Sequence, residues 1–215
     1  QTPFCKRARS RKPGSCNLIA TEVSISDDGD LIAKLIPKTQ ENNESQDAPV
    51  EVDSKPLLLT VSVYQDGILR LKIDEEQSLN PPKKRFEVPD VILDEFLSKK
   101  LYLQWLSEEK IDNDLGFSSV VYLDGDYEGV LRHDPFEVFV RERGNGKRVL
   151  SINSNGLFDF EQLREKKEGD DWEERFRSHT DTTPYGPQSI SFDVSFFGAD
   201  IVSGIPEHAT SLALK

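Results

Sequence analysis

The residue types that usually carry catalysis are present in this chain, but their spacing matches no catalytic motif. The three histidines, His133, His179 and His208, are far apart in sequence, so each is more often structural or solvent-facing than a ligand. The chain contains no G-x-S-x-G, H-E-x-x-H or Walker motif, and no G-x-G-x-x-G after a strand. Acidic residues are plentiful, so choosing two as a glycosidase acid and nucleophile would be arbitrary. We expect no catalytic, metal-binding or cofactor-binding residue here.

The sharpest local feature is the corner Gly204-Ile205-Pro206-Glu207-His208. Glycine and proline predict a tight turn. The simpler interpretation of this corner is a structural turn whose charged side chains are solvated. The alternative interpretation is a loop that forms the rim of a polar pocket, with Glu207 and His208 as the candidate rim residues. Trp105 and Trp172 present flat faces that could stack on sugar rings, but tryptophan is more often a core residue because of its large apolar area.

Two other features concern covalent modification. Cys5 and Cys16 flank a basic run. They could form a disulfide in a secretory lumen, and they would be two free thiols in the cytosol. Asn43-Glu44-Ser45 is a glycosylation sequon within the polar, proline-containing stretch 37–56, which we interpret as an exposed loop.

The composition excludes some classes of partner. The net charge of −12 argues against nucleic acid and against anionic membrane surfaces. No apolar run approaches the roughly 18 residues of a membrane span. There is no initiator methionine and no signal-like apolar region near Gln1, so we expect a processed N-terminus.

Alternation of apolar and polar residues predicts an all-β, antiparallel β-sandwich with about ten strands and little helix. The predicted hairpins pair Leu18–Ile25 with Leu31–Ile36, Leu57–Tyr64 with Ile68–Ile73, Phe117–Leu123 with Tyr127–Leu131, and Phe136–Val140 with Val149–Ile152. A single strand is predicted at 101–106, a helical turn or two at 91–100, a polar connection at 107–115 and a charged surface excursion at 161–171.

The C-terminal region, 188–215, alternates most clearly. Ile190, Phe192, Val194 and Phe196 fall at every second position with Ser191, Asp193 and Ser195 between them. This pattern predicts a strand with one apolar and one polar face. A second alternation begins at Leu212 and Leu214. We expect a basic arm at 1–17 and a sandwich at 18–215 that is truncated at its C-terminal end, continued by a separate chain and paired with it through 209–215.

Blocks spread over nearly the whole chain resemble the α subunits of glucosidase II, a group within family 31 of the glycoside hydrolases. They are FCKRARS at 4–10, RFEVPDV at 85–91, HDPFEVFVRERGNGKRVLSINSNGLFDFE at 133–161, WEERFRSHTDTTPYGP at 172–187, and GIPEH at 204–208 followed by LALK. The D-P-F block with its hairpin is shared widely in family 31, whereas the W…F…H-x-D…PYGP…GIPEH series is specific to this group.

The resemblance implies an N-terminal β-sandwich of an enzyme whose catalytic barrel lies on the rest of the polypeptide. Such enzymes remove α-1,3-linked glucose from N-glycans in the endoplasmic-reticulum lumen, with retention, using two barrel aspartates that no motif here matches. The group's substrate-contacting Asp of the N-terminal domain follows the GIPEH motif, after Lys215. The implied partners are the C-terminal catalytic chain of the same subunit, the glucosidase II β subunit and the N-glycan substrate, with no cofactor.

The chain also departs from the group's pattern. The group's first disulfide joins the cysteine of the F-C-K-R block to one a few residues upstream. Cys5 matches the second of these, but the first would precede Gln1, so Cys5 either pairs with Cys16 or is free. The alternative function is a free-standing β-sandwich that binds carbohydrate or another protein. The open alternation at 209–215 favours the enzyme segment, because a free-standing module should complete its sheet.

Overall fold

The computed structural model describes residues 9–38, 55–76, 85, 99–110, 117–123, 125–169, 173–176, 178–182, 185–186 and 188–203. Within these ranges the chain forms fifteen β-strands, and a 3-10 turn at Gln65–Gly67 joins two of them. All the strand pairs are antiparallel. Of the predicted helical segment at 91–100, residues 91–98 lie outside the described residues, and the prediction is wrong at Lys100, which belongs to a strand.

The first sheet has five strands in the order β1-β2-β3-β4, and β5 pairs with β3. Its strands are β1 (Leu18–Ile25), β2 (Leu31–Pro37), β3 (Leu57–Tyr64), β4 (Ile68–Glu75) and β5 (Lys100–Leu101). In β3, Leu57, Leu59, Val61 and Val63 occupy alternate positions and are at most 4% exposed. The period of two in the sequence therefore places one face of β3 in the core.

The second sheet has six strands in the order β15-β10-β9-β8-β7-β6. Its strands are β6 (Gln104–Lys110), β7 (Phe117–Tyr122), β8 (Tyr127–Arg132), β9 (Glu137–Glu142), β10 (Arg148–Ile152) and β15 (Val194–Phe196). Two small two-stranded sheets pair β11 (Asp159–Phe160) with β14 (Ile190–Ser191) and β12 (Glu173–Phe176) with β13 (His179–Thr182).

The core lies between the two large sheets. Leu35 and Leu59 of the first sheet and Leu131 and Val138 of the second belong to one buried cluster. Phe136, which is fully buried, meets Phe158 edge to face with 5.8 Å between ring centroids. Such aromatic pairs contribute roughly 0.5–1.5 kcal/mol beyond their buried area. The predicted antiparallel β-sandwich is thus confirmed.

One predicted strand, 101–106, is wrong because the chain changes sheets within it. Lys100–Leu101 pairs with β3 of the first sheet, and Gln104–Lys110 pairs with β7 of the second. Between them, the Leu103 N–H donates to the carbonyl of Gly29 at 2.9 Å. The same strand continues to Lys110, so the prediction of a polar connection from 107 is also wrong for 107–110. β6 is an edge strand, and an edge strand carries polar residues on either face.

The β3–β4 hairpin closes through the three-residue turn Gln65–Gly67, because Tyr64 pairs with Ile68. Two further details differ from the sequence prediction. Residues 164–169 are exposed as expected, but Leu163 beside them is 5% exposed. The single strand predicted from the alternation at 190–196 is two short strands, β14 and β15, in different sheets.

Candidate functional site

Most of the residues singled out by sequence lie outside the described part of the chain. These are Cys5, Asn43, Trp172, Glu207 and His208. Their predicted roles in a disulfide, a glycan attachment and a pocket rim stay predictions. Cys16 is described: its side chain is 8% exposed and carries a free thiol.

His133 is the described histidine with the most defined surroundings. Its Nε2 lies 2.7 Å from the Oγ of Ser119, and Ser119 is fully buried. Burial lowers the pKa of His133, against a smaller opposing effect of the Glu108 carboxylate. A serine without access to solvent cannot attack a substrate, so this pair serves the fold.

Neither a metal centre nor a membrane helix is found in the described ranges. Among those residues, no three His, Cys, Asp or Glu side chains are grouped so that they could hold a metal ion. The same part of the chain contains no helix that is long and apolar enough to cross a bilayer.

A cavity of about 480 Å³ lies beside β2, β3 and β11. Several of its polar groups bind one another. Arg11 forms an ion pair with Asp159 at 2.6 Å, and the amide of Gln162 binds both the N–H and the carbonyl of Lys55. These four residues hold the walls of the cavity together.

Arg85, the described residue of the RFEVPDV block, binds to the sandwich through several contacts. Its Nη1 donates to the carbonyl of Gln188 at 2.9 Å, and its guanidinium lies 4.1 Å from the centre of the Phe160 ring. Its Nη2 lies 3.4 Å from the Glu75 carboxylate, which is 2% exposed and also accepts from the Leu163 N–H. This charged cluster fixes the segment around 160–163 against the edge strand β4.

The segment that contains β14 and β15 reverses the usual arrangement of a surface strand. Its apolar row consists of Ile190, Phe192, Val194 and Phe196, which are 41%, 56%, 39% and 49% exposed. The polar residues between them are less exposed. We call these four residues the apolar row. Phe197 and Ile201, which follow the row in sequence, are 40% and 77% exposed.

Asp193 holds the polar side of this segment to the turn that follows β10. Its carboxylate accepts hydrogen bonds from the backbone N–H of Asn155 at 2.8 Å, from the Asn155 side-chain amide at 3.1 Å and from the Leu157 N–H at 3.1 Å. The Asp193 carbonyl accepts from the Asn153 N–H at 2.9 Å. The segment is therefore anchored through its polar residues, and the side chains of the apolar row stay exposed.

The turn that Asp193 binds is itself anchored to the core and to the N-terminal arm. Asn153 has φ of 67°, is 2% exposed, and its side chain bridges the Phe136 carbonyl and the Phe158 N–H. Asparagine tolerates this left-handed conformation better than most residues. The carbonyls of Asn155 and Gly156 accept from the N–H groups of Gly14 and Cys16, both at 2.8 Å.

Two members of the apolar row, Val194 and Phe196, continue the core-facing side of the second sheet. Val194 pairs with Ile152, and Phe196 pairs with Leu150, which in turn pairs with the core-facing Val140. Directly paired side chains lie on the same face of a sheet. A cleft of about 260 Å³ opens beside the row, lined mainly by apolar residues of β3, β4, β9 and β10: Val63, Leu69, Val140, Val149 and Leu150.

The alternation in the sequence predicts that Asp193 lies on a polar face, but it does not indicate which groups the carboxylate binds. Those groups lie 36–38 residues earlier in the chain. The signal that could have located them is the Asn-Ser-Asn-Gly quartet at 153–156, since two asparagines and a glycine at a strand end are typical of a left-handed turn rich in free N–H groups.

The chain belongs to glycoside hydrolase family 31. The description "Glycosyl hydrolase 31 N-terminal galactose mutarotase-like domain" matches residues 58–215, more than half of the chain. The chain is 62% identical over 216 residues to a probable glucan 1,3-alpha-glucosidase of Arabidopsis thaliana, covering 100% of this chain and 23% of that protein.

Solved structures agree with this assignment. The fold is similar to the glucosidase II alpha subunit in its Glc1Man2-bound crystal structure, with a TM-score of 0.75 and 26% identity over 99% of this chain and 24% of that one. It is also similar, with a TM-score of 0.71 and 25% identity over the same shares, to a chain of the heterodimeric complex of ER glucosidase II, which consists of the catalytic subunit and the binding domain of the regulatory subunit. The chain spans less than a quarter of the length of these relatives.

Proposed function

We propose that this chain is the N-terminal, non-catalytic portion of an α-glucosidase of the glucosidase II type, and that the whole enzyme removes α-1,3-linked glucose from N-glycans. The observation that carries this proposal is the family 31 N-terminal domain match over 58–215. The names of the relatives support the proposed α-1,3 glycosidic linkage of the substrate, since they include a probable glucan 1,3-alpha-glucosidase and a glucosidase II alpha subunit.

The chemistry of such an enzyme belongs to the rest of the polypeptide. Retaining glycosidases use two carboxyl groups about 5–5.5 Å apart, one as nucleophile and one as acid and base. The charged clusters described above serve the fold: the carboxylates of Glu75 and Asp193 bind backbone N–H groups and an arginine within the sandwich. The sandwich would act as a rigid scaffold beside the catalytic domain, and Glu207 and His208 stay proposals for a pocket rim.

The proposed location is the endoplasmic-reticulum lumen, and the proposed second subunit is a regulatory β subunit. The heterodimeric ER glucosidase II complex supports both by similarity. The Asn43 sequon fits a secretory compartment, and we expect it to carry a glycan when the protein is made there. Glycosidase treatment and peptide mass spectrometry would show the modification, and an unmodified Asn43 in such material would count against an accessible loop.

The test is release of glucose from an α-1,3-linked disaccharide and from a chromogenic α-glucoside. We expect no turnover by purified 1–215 and turnover by the polypeptide that carries this sequence with its natural continuation. Turnover by 1–215 free of any other chain would refute the proposal. Tight sugar binding by 1–215 alone, with an inactive longer polypeptide, would favour a free-standing binding module instead.

A further inference from the structure

The sequence contains two Asn-Gly pairs, and each lies in a turn next to β10. Asn145-Gly146 lies in the turn between β9 and β10, and Asn155-Gly156 lies in the turn that follows β10. Asparagine is a thermolabile residue. A glycine after it leaves the next backbone nitrogen without a shielding side chain and gives that peptide unit wide conformational freedom. The two pairs are chemically alike, so their surroundings in the fold decide how each of them reacts.

The turn at Asn145 is exposed and is held by bonds between near neighbours. Residues 143–147 are all exposed. The Gly146 N–H donates to the Glu142 carbonyl at 2.8 Å, and the Asn145 side-chain amide donates to the Glu142 carboxylate. A Cβ added at Gly146 would have nothing within 4 Å. Breaking these bonds displaces no other segment of the chain, so the turn can open locally.

Asn155 is also exposed, but its pair is held by three distant parts of the chain. The Gly156 N–H donates to the Asn153 carbonyl at 3.0 Å, and the backbone and side-chain N–H groups of Asn155 donate to Asp193 at 2.8 and 3.1 Å. The Asn155 carbonyl accepts from the Gly14 N–H at 2.8 Å. A Cβ at Gly156 would lie 3.0 Å from the Gly14 Cα. Rotating this backbone therefore requires the arm and the β15 segment to separate from the turn.

We propose that Asn145 is a site of spontaneous deamidation in this protein and that the fold protects Asn155. The Gly146 nitrogen loses its proton to solvent and attacks the Asn145 side-chain Cγ. The new C–N bond closes a succinimide ring, while the bond from Cγ to Nδ2 breaks and Nδ2 takes up a proton and leaves as ammonia. Water then opens the ring at one of its two carbonyls and gives aspartate or isoaspartate. This reactivity belongs to the turn and is independent of the proposed function.

The contact between Asn145 and Lys147 assists the attack. The Lys147 N–H donates to the Asn145 Oδ1 at 2.8 Å. This oxygen becomes negatively charged when Cγ is attacked, and a donor already in place stabilises a charge that develops during a reaction. The bond also closes an Asx-type turn across Gly146, so the amide carbon is kept near the peptide unit that supplies the attacking nitrogen.

The products do not restore the original turn. Aspartate at position 145 replaces the donor that Glu142 binds with an oxygen acceptor, and two neighbouring carboxylates repel each other. Isoaspartate also places the Cβ in the main chain, which changes the spacing between Gly146 and the Glu142 carbonyl. Either product adds a negative charge to a chain whose net charge is −12 and loosens the β9–β10 turn.

The experiment is incubation of the polypeptide that carries this sequence with its natural continuation, in mildly alkaline buffer at physiological temperature. Peptide mass spectrometry follows the loss of each amide, and an isoaspartyl-specific methyltransferase with a labelled methyl donor detects isoaspartate. We expect Asn145 to react at least about tenfold faster than Asn155, because only the second pair needs a larger opening of the fold. In denaturing urea the two rates should agree to within about threefold, since the unfolded chain lacks the contacts that differ.

Two glycine variants test the chemistry of the turn. Gly146→Ala places a methyl group beside the attacking nitrogen and should slow the reaction of Asn145 by about tenfold. Gly144→Ala is the matched control, because its added Cβ also has nothing within 4 Å and it does not precede or supply that nitrogen. Equal rates at Asn145 and Asn155 in the folded protein would overturn the proposal. So would an Asn145 that keeps its amide when folded and loses it in urea.

Discussion

At the scale of single residues, Asp193 has the largest identified role. One carboxylate binds three N–H groups of the turn that follows β10, and Ser154 Oγ also lies 3.3 Å from it. Hydrogen bonds to a charged group contribute more to stability than hydrogen bonds between neutral groups. Asp193 therefore holds the segment that contains β15 to this turn.

We expect Asp193→Ala to lower the free energy of unfolding by about 2–3 kcal/mol, because it leaves the two backbone donors and the Asn155 amide without their acceptor. Asp193→Asn, which keeps one acceptor oxygen, should lose less. Urea unfolding measures both. The control is Asp200→Ala at an exposed position, for which we expect a change within about 0.5 kcal/mol. Equal effects of Asp193→Ala and Asp200→Ala would contradict the anchoring role.

His133 gives the fold a dependence on pH. Burial lowers its pKa below the ordinary value of 6.5, so the folded protein favours the neutral ring. The unfolded chain therefore binds the proton more readily, and this contribution to stability is present above pH 6.5 and is lost as the pH falls below it.

We expect the wild-type protein to lose more stability between pH 7.5 and pH 5.5 than His133→Gln, because glutamine cannot titrate but can still bond to Ser119. Chemical denaturation at the two pH values measures the difference, and the carboxylates common to both proteins provide the internal control. An identical loss in both proteins would show that His133 does not contribute.

At the scale of elements, the crossing between the two sheets depends on Gly29. This residue has φ of +78°, and its carbonyl accepts the Leu103 N–H where the chain leaves β5 for β6. A Cβ at Gly29 would lie 2.8 Å from the backbone Cα of Tyr102. Only glycine combines this conformation with such a close approach of two backbones.

Gly29→Ala should therefore lower the free energy of unfolding by more than about 2 kcal/mol, from the left-handed conformation together with the contact with Tyr102. Gly67→Ala is the matched control. It has φ of +73° with nothing within 4 Å of the added Cβ, so it should cost only about 1–2 kcal/mol. Urea unfolding compares the two, and a smaller loss for Gly29→Ala would mean that the crossing can shift without cost.

At the scale of the whole molecule, the sandwich is well packed at its centre and open at one end. Leu35, Leu59 and Phe136 are fully buried, whereas the apolar row is not covered by the described part of the chain. Soluble monomers rarely expose contiguous apolar patches of more than a few hundred Å². The open end therefore determines how 1–215 behaves in isolation.

We expect purified 1–215 to self-associate or to bind the dye ANS, because the apolar row is in contact with water. Phe192→Ser combined with Phe196→Ser should reduce dye binding and increase the monomer fraction in size-exclusion chromatography. Phe117→Ser, at a position of similar exposure, should change neither much. A wild-type chain that is monomeric and binds no dye would contradict the open end.

The local pattern of the sequence was sufficient for much of the fold. The hairpins between 18 and 75 and between 117 and 152 were predicted to within a few residues, since a period of two and a turn of Gly or Asp are both local signals. The sandwich class followed from the number of such hairpins. The family, too, could be identified from short sequence blocks.

Tertiary structure alone decided which side chains of 190–196 are covered by the rest of the protein. The alternation shows that two faces exist, but burial depends on what the assembled layers cover, and here the polar side is held by Asn155, 38 residues earlier. The same holds at 101–104, where continuous alternation hides a change of sheet, because pairing partners are chosen by backbone hydrogen bonds between distant segments. Periodicity is a property of neighbouring residues, whereas the direction of a face depends on contacts that form only when the chain has folded.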